Sequence, residues 1–65
     1  MDIVINGQAN DVAAATVLEL LQAQGLADRR VAVEVNGEIV PRSRHAEHAL
    51  ASGDRVEIVH ALGGG

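Results

Sequence analysis

Cysteine, lysine and all three aromatic residue types are missing from this 65-residue sequence. Without cysteine there can be no disulfide and no cysteine-based metal cluster, so stability has to come from aliphatic packing, and we expect a cytoplasmic protein. Without phenylalanine, tyrosine or tryptophan the chain lacks the platforms on which single-stranded nucleic acids stack. A chain of this length forms one domain, which buries only about 60% of the surface exposed by its unfolded form.

Positive charge is also scarce. Nine acidic residues stand against five basic ones, all arginine, and the formal net charge is −4. An acidic chain repels phosphate backbones and anionic lipids, so we expect neither nucleic acid nor a membrane as partner, whereas a basic protein surface suits it. No apolar run reaches the roughly 18 residues of a membrane span, and the N-terminal residues do not resemble a signal peptide.

Two Asn-Gly dipeptides predict two tight hairpins. Asn6-Gly7 follows a β-branched run, and Asn36-Gly37 follows the alternating valines of residues 31–35. Asn-Gly favours the positive φ angles of a type I′ turn, which joins neighbouring antiparallel strands. The return strand of the first hairpin, residues 8–12, is polar, so we expect it at an edge of the sheet.

A helix is predicted between Thr16 and Gly25. In the capping-box pattern that begins at Thr16, its hydroxyl accepts from the Glu19 N–H, and the Glu19 carboxylate reaches back to the Thr16 N–H. Gly25 is placed to adopt the left-handed conformation that closes a helix, with Leu26 folding back on the last turn. We expect one apolar face of this helix to pack on a sheet. It consists of Val17, Leu18, Leu20, Leu21 and Gln24.

The sequence of the second half of the chain predicts a short helical segment followed by a final strand. We expect Ser43 to cap a helix over residues 44–51, with Ala46 and Leu50 facing inward. The final strand runs from Arg55 to about Leu62 and alternates in hydrophobicity. One helix covers only one face of a sheet, so the predicted fold is α+β, a mixed sheet of about five strands folded around that helix. We expect its first and last strands to pair in parallel.

The sequence ends in Leu62-Gly63-Gly64-Gly65. Three residues without Cβ atoms make a thin, flexible tail that can be threaded into a narrow channel, although a frayed terminus would look the same. We therefore divide the chain into a domain of residues 1–62 and a flexible tail of residues 63–65. Val59, Ala61 and Leu62 form an apolar patch beside the tail, which we interpret as a surface for a partner protein.

Catalytic and metal sites are not predicted within the chain. A nucleophile needs a base within hydrogen-bond reach, and two of the three hydroxyl groups are already predicted to cap helices. The three histidines could bind a metal only if the final strand brought one of them to the other two, and closed zinc sites usually have four ligands. We interpret all three as solvated residues or residues at the rim of the surface: His45, His48 and His60.

The order of elements and the glycine tail resemble the ubiquitin-like β-grasp proteins, and among these the ThiS family of sulfur carriers in thiamine biosynthesis. The resemblance covers the whole chain. It is carried by the opening run from Ile3 to Gly7, by Thr16-Val17 with Leu20-Leu21, by Val33 to Arg42, by Gly53 to Val59 and by the terminal glycines. Ala61 departs from the family pattern, because relatives often carry a bulkier residue there.

The resemblance implies that the reactive group is the carboxylate of Gly65 and that partner enzymes perform all the chemistry. A ThiF-type adenylyltransferase would use ATP and magnesium to form the Gly65 acyl-adenylate, a sulfur-donor enzyme would convert it to a thiocarboxylate, and a ThiG-type thiazole synthase would take the sulfur. Gly63 and Gly64 would be threaded into the partners' active sites, and the patch of Val59, Ala61 and Leu62 would dock. The chain itself would be a monomer when free, would bind no cofactor or metal, and would be a cosubstrate rather than an enzyme.

Three other functions stay open at this point. The small subunit of molybdopterin synthase shares the fold, the tail and the chemistry, but its relatives tend to carry a proline just before the glycines, which Ala61-Leu62 lacks. A ubiquitin-like protein modifier would form isopeptide bonds through the same carboxylate. A β-grasp module that acts only through its surface would not need the tail.

Overall fold

The computed structural model describes residues 1–60, and this part of the chain contains one α-helix and five strands. In chain order the elements are β1 (Asp2–Ile5), β2 (Gln8–Asp11), α1 (Val17–Ala23), β3 (Val31–Val35), β4 (Glu38–Val40), a 3-10 turn (Arg42–Arg44) and β5 (Arg55–His60). The strands form one mixed sheet in the order β2-β1-β5-β3-β4. The predicted α+β fold with a five-stranded mixed sheet is confirmed.

Both Asn-Gly dipeptides form the predicted turns. The φ angles are 49° and 82° at Asn6 and Gly7, and 53° and 86° at Asn36 and Gly37, so both central residues of each turn are left-handed, as a type I′ turn requires. β1 pairs with β2, and β3 pairs with β4, in antiparallel register. The polar strand β2 lies at an edge of the sheet, as its composition predicts.

The first turn of α1 follows the predicted cap in one half and departs from it in the other. Thr16 Oγ1 accepts from the Glu19 N–H at 3.2 Å, as predicted. Glu19 Oε1 instead accepts from the Ala15 N–H at 2.8 Å. The prediction that the carboxylate reaches the Thr16 N–H was wrong, and the backbone of Thr16 forms an antiparallel bridge with Ala49.

The other end of α1 closes as predicted. Gly25 is left-handed, with a φ of 73°. Its N–H donates to the Gln22 carbonyl at 3.1 Å, and the Leu26 N–H donates to the Leu21 carbonyl at 2.7 Å. These two bonds are those of a Schellman motif, and they satisfy the Leu21 and Gln22 carbonyls within the chain.

The core lies between α1 and one face of the sheet. β5 is the central strand, because it pairs in parallel with β1 and in antiparallel register with β3. The predicted parallel pairing of the first and last strands is therefore confirmed. The inclusion of Gln24 in the apolar face of the helix was wrong, since this residue is exposed. The buried apolar residues are Ile3, Ile5, Ala14, Val17, Leu20, Leu21, Val33, Val35, Val40, Leu50, Val56 and Ile58.

The connection between β4 and β5 differs from the predicted helix over residues 44–51. Its only helical piece is the three-residue 3-10 turn, which has no side-chain cap, so Ser43 does not cap a helix. Leu50 is buried as predicted, but Ala46 is exposed. The carbonyls of this connection serve α1 instead. The His45 and His48 carbonyls accept from the first N–H groups of α1 at 2.9 and 3.0 Å. Carbonyls used in this way are drawn away from the hydrogen bonds of a helix over residues 44–51.

Candidate functional site

The strand that leads into the glycine tail is the central strand of the sheet. β5 has a neighbouring strand on each side, and Val56 and Ile58 point from it into the core. The described residues stop at His60, the last described residue of β5, so the predicted site residues Ala61, Leu62 and Gly63–Gly65 lie outside them. Val59, the remaining residue of the predicted docking patch, has a side chain that is 58% exposed.

The solvent-facing side of the sheet combines apolar and acidic side chains around Val59. Val59 lies opposite Ala32, and two residues along the same strands, on the same face, Glu57 lies directly opposite Glu34. Like charges in directly opposed positions repel each other. Within residues 1–60 the one ion pair joins the N-terminal ammonium to Asp11, so neither glutamate has a cationic partner in that part of the chain. Arg55 shares this face of β5, so two glutamates and one arginine leave it a net negative charge, which favours a partner that brings positive charge.

The histidines do not all occupy the predicted surface positions. His60 is exposed and His48 is half-buried, but the interpretation of His45 as a surface residue was wrong, because it is only 5% exposed. Its Nε2 lies 3.0 Å from the carbonyl oxygen of Val40, and because a carbonyl can only accept, this nitrogen is the donor. That hydrogen bond offsets the free-energy cost of removing the imidazole nitrogen from water. Among residues 1–60, no group of three or more metal-ligating side chains is placed to hold a metal ion.

One further side chain at the end of β5 was not identified from the sequence. Asn6 was predicted only as a turn residue, but its carboxamide also makes two hydrogen bonds to the backbone of Ile58. No local sequence signal points to this contact, because the two residues are 52 positions apart.

The described part of the chain contains no helix long and apolar enough to cross a bilayer.

A mixed five-stranded sheet around one helix, with parallel first and last strands and a triple-glycine sequence after the central strand, defines a β-grasp protein of the carrier class. The model of the ThiS family matches residues 3–65. The chain belongs to the ThiS family, the sulfur carrier proteins of thiamine biosynthesis. Members of this family are carriers and not enzymes. The resemblance found in the sequence is confirmed, and it favours the thiamine carrier over the molybdopterin synthase subunit.

Individual relatives agree with this assignment. The chain is 36% identical to the sulfur carrier protein ThiS of Escherichia coli, with both chains covered in full. A crystal structure of the thiamine biosynthesis protein ThiS from Geobacter metallireducens superposes with a TM-score of 0.84 at 36% identity, again over the whole of both chains. The chain is also 46% identical to a thiazole synthase of Paramagnetospirillum magneticum. It covers only 20% of that protein, and the same fraction of a second thiazole synthase from Magnetococcus marinus.

Proposed function

We propose that this chain carries sulfur for thiazole formation in thiamine biosynthesis, as a thiocarboxylate on the carbonyl carbon of Gly65. The observation that carries the proposal is the family match, which extends through residue 65 and so includes the glycine sequence. The position of β5 supports it. β5 is the central strand, and its last residue, His60, is still paired with Val31 of β3, so the tail sequence begins shortly after a hydrogen-bonded strand.

The proposed chemistry overcomes the poor reactivity of a carboxylate, whose oxide is a poor leaving group. A ThiF-type adenylyltransferase with ATP and magnesium would let a Gly65 carboxylate oxygen attack the α-phosphorus, and pyrophosphate would leave. A sulfide equivalent from a sulfur-donor enzyme would then attack the carbonyl carbon, forming the C–S bond as AMP leaves. Neither step changes an oxidation state when the nucleophile is sulfide. Gly63 and Gly64 would occupy the enzyme's channel, and ATP and magnesium would bind to the enzyme, not to this chain.

Thiazole synthase is the proposed acceptor of the sulfur. Support comes from the two relatives named thiazole synthase, in each of which a sequence like this chain makes up 20% of the length. Carrying both parts on one polypeptide raises the effective concentration of the carrier at its acceptor. We propose that Val59, Ala61 and Leu62 contact the partner enzymes and that Glu34 and Glu57 meet basic side chains there. We place these reactions in the cytoplasm, with the free carrier monomeric.

Mass spectrometry of the intact chain tests the proposal. The chain ending at Gly65 is incubated with the ThiF-type enzyme of the same organism, ATP, magnesium and sulfide. We expect a mass gain equal to the replacement of one oxygen by sulfur, located in the C-terminal peptide. Two controls should show no gain: the reaction without ATP, and the chain carrying a C-terminal carboxamide. An unchanged mass in the full reaction would contradict the proposal, and a gain in the carboxamide chain would exclude Gly65 as the site.

A further inference from the structure

The carboxamide of Asn6 holds both backbone hydrogen-bonding groups of Ile58 in β5. Asn6 Nδ2 donates to the Ile58 carbonyl at 3.1 Å, and the Ile58 N–H donates to Asn6 Oδ1 at 2.7 Å. Both bonds are partly buried. Only one orientation of the amide group can make both bonds, so the side chain is fixed at two points.

This contact lies where the backbone pairing between β1 and β5 stops. The Asn6 N–H donates to the Val56 carbonyl at 2.9 Å, and β1 itself ends one residue earlier. Because backbone groups point to alternate sides along a strand, the groups of Ile58 face the same side as those of Val56, beyond the end of β1. A carboxamide offers one donor and one acceptor, as a peptide unit does. The Asn6 side chain therefore extends the pairing of β5 by one step toward its C-terminal end.

We propose that Asn6 is a positioning residue for the carrier tail. By holding Ile58, it fixes the last residues of β5, which precede the tail in sequence, and the outward direction of the Val59 side chain. The inference rests on the proposed function, since the direction of the tail matters only if a partner must receive its carboxylate. The turn does not by itself require asparagine, because glycine accepts the φ of 49° equally well.

Asn36 provides a matched comparison within the same molecule. It occupies the same position in the second type I′ turn, with a φ of 53°. Its Oδ1 accepts from the Arg55 N–H at 2.9 Å, and its Nδ2 donates to Asp54 Oδ1 at 3.0 Å. The two asparagines thus bind opposite ends of β5, and only Asn6 binds the end that leads to the tail.

The test compares Asn6→Gly with Asn36→Gly, because glycine preserves both turns and removes both carboxamides. We expect the Ile58 amide to exchange hydrogen about tenfold faster in Asn6→Gly, and within about twofold of wild type in Asn36→Gly. At a temperature where circular dichroism shows both variants fully folded, we expect kcat/KM for thiocarboxylate formation to fall about tenfold in Asn6→Gly relative to Asn36→Gly. A purely structural role would lower folding stability in both without this difference.

Equal kcat/KM in the two glycine variants, or unchanged Ile58 exchange in Asn6→Gly, would overturn the proposal. If Asn6→Gly does not fold, Asn6→Asp replaces it, since aspartate keeps an acceptor for the Ile58 N–H but loses the donor. We expect Asn6→Asp to have a lower kcat/KM than Asn36→Gly, because its carboxylate places a second acceptor against the Ile58 carbonyl, and activity equal to that of Asn36→Gly would overturn the proposal. If the wild-type chain is not thiolated, the proposed function fails, and exchange at Ile58 and Val59 alone then decides whether Asn6 holds the end of the strand.

Discussion

Replacing His45 by alanine should strongly destabilise the domain. The side chain is 5% exposed and its Nε2 donates to the Val40 carbonyl at 3.0 Å, linking the connection after β4 to the end of that strand. Loss of the donor to a buried carbonyl costs about 1–3 kcal/mol. A cavity of about 60 Å³, at about 24 cal/mol per Å³, adds about 1.5 kcal/mol. The sum is a large part of the roughly 3–10 kcal/mol expected for a domain of this size.

Urea unfolding followed by circular dichroism measures this change. His48→Ala is the control, because His48 lies in the same connection and is only half-buried. Its contact with α1 is made by its backbone carbonyl, which alanine retains. His45→Gln should recover part of the loss, since its amide nitrogen can approach the position of Nε2. Equal stability of the two alanine variants would refute the reasoning, and a glutamine variant no more stable than the alanine variant would refute the contribution of the hydrogen bond.

Two further substitutions test the helix end and the docking face. Gly25→Ala should cost about 1–2 kcal/mol of unfolding free energy, because Gly25 has a φ of 73° and a Cβ there meets no atom within 4 Å, so only backbone strain acts. Thermal unfolding should show Gln24→Ala close to wild type, and equal losses in both would contradict this account. Val59→Ser should leave stability within about 0.5 kcal/mol of wild type but lower kcat/KM for thiocarboxylate formation several-fold. Ala9→Ser, at an exposed position on the edge strand β2, should not, and an unaffected Val59→Ser would remove Val59 from the docking surface.

The predicted helix between β4 and β5 does not form because of contacts with another part of the chain, which the sequence of this connection does not reveal. Ser43 has the chemistry of a cap, and the apolar spacing of Ala46 and Leu50 fits a helix. The first N–H groups of α1 need acceptors, however, and the carbonyls of His45 and His48 supply them. A long-range requirement of this kind overrides a weak local preference. The candidate site shows the same limit, since Val59 was identified from strand alternation but the acidic pair beside it was not.

The sequence by itself determined the type I′ turns, the closing glycine of α1, the polar edge strand and the membership of the ThiS family. Each of these depends on residues within a few positions of one another or, for the family, on the residues themselves. Only the tertiary structure decided the burial of His45, the placement of Glu34 opposite Glu57 and the hydrogen bonds between Asn6 and Ile58. These features arise when segments up to 52 positions apart pair in one register. The local sequence of one segment does not determine which residue of the other segment will contact it.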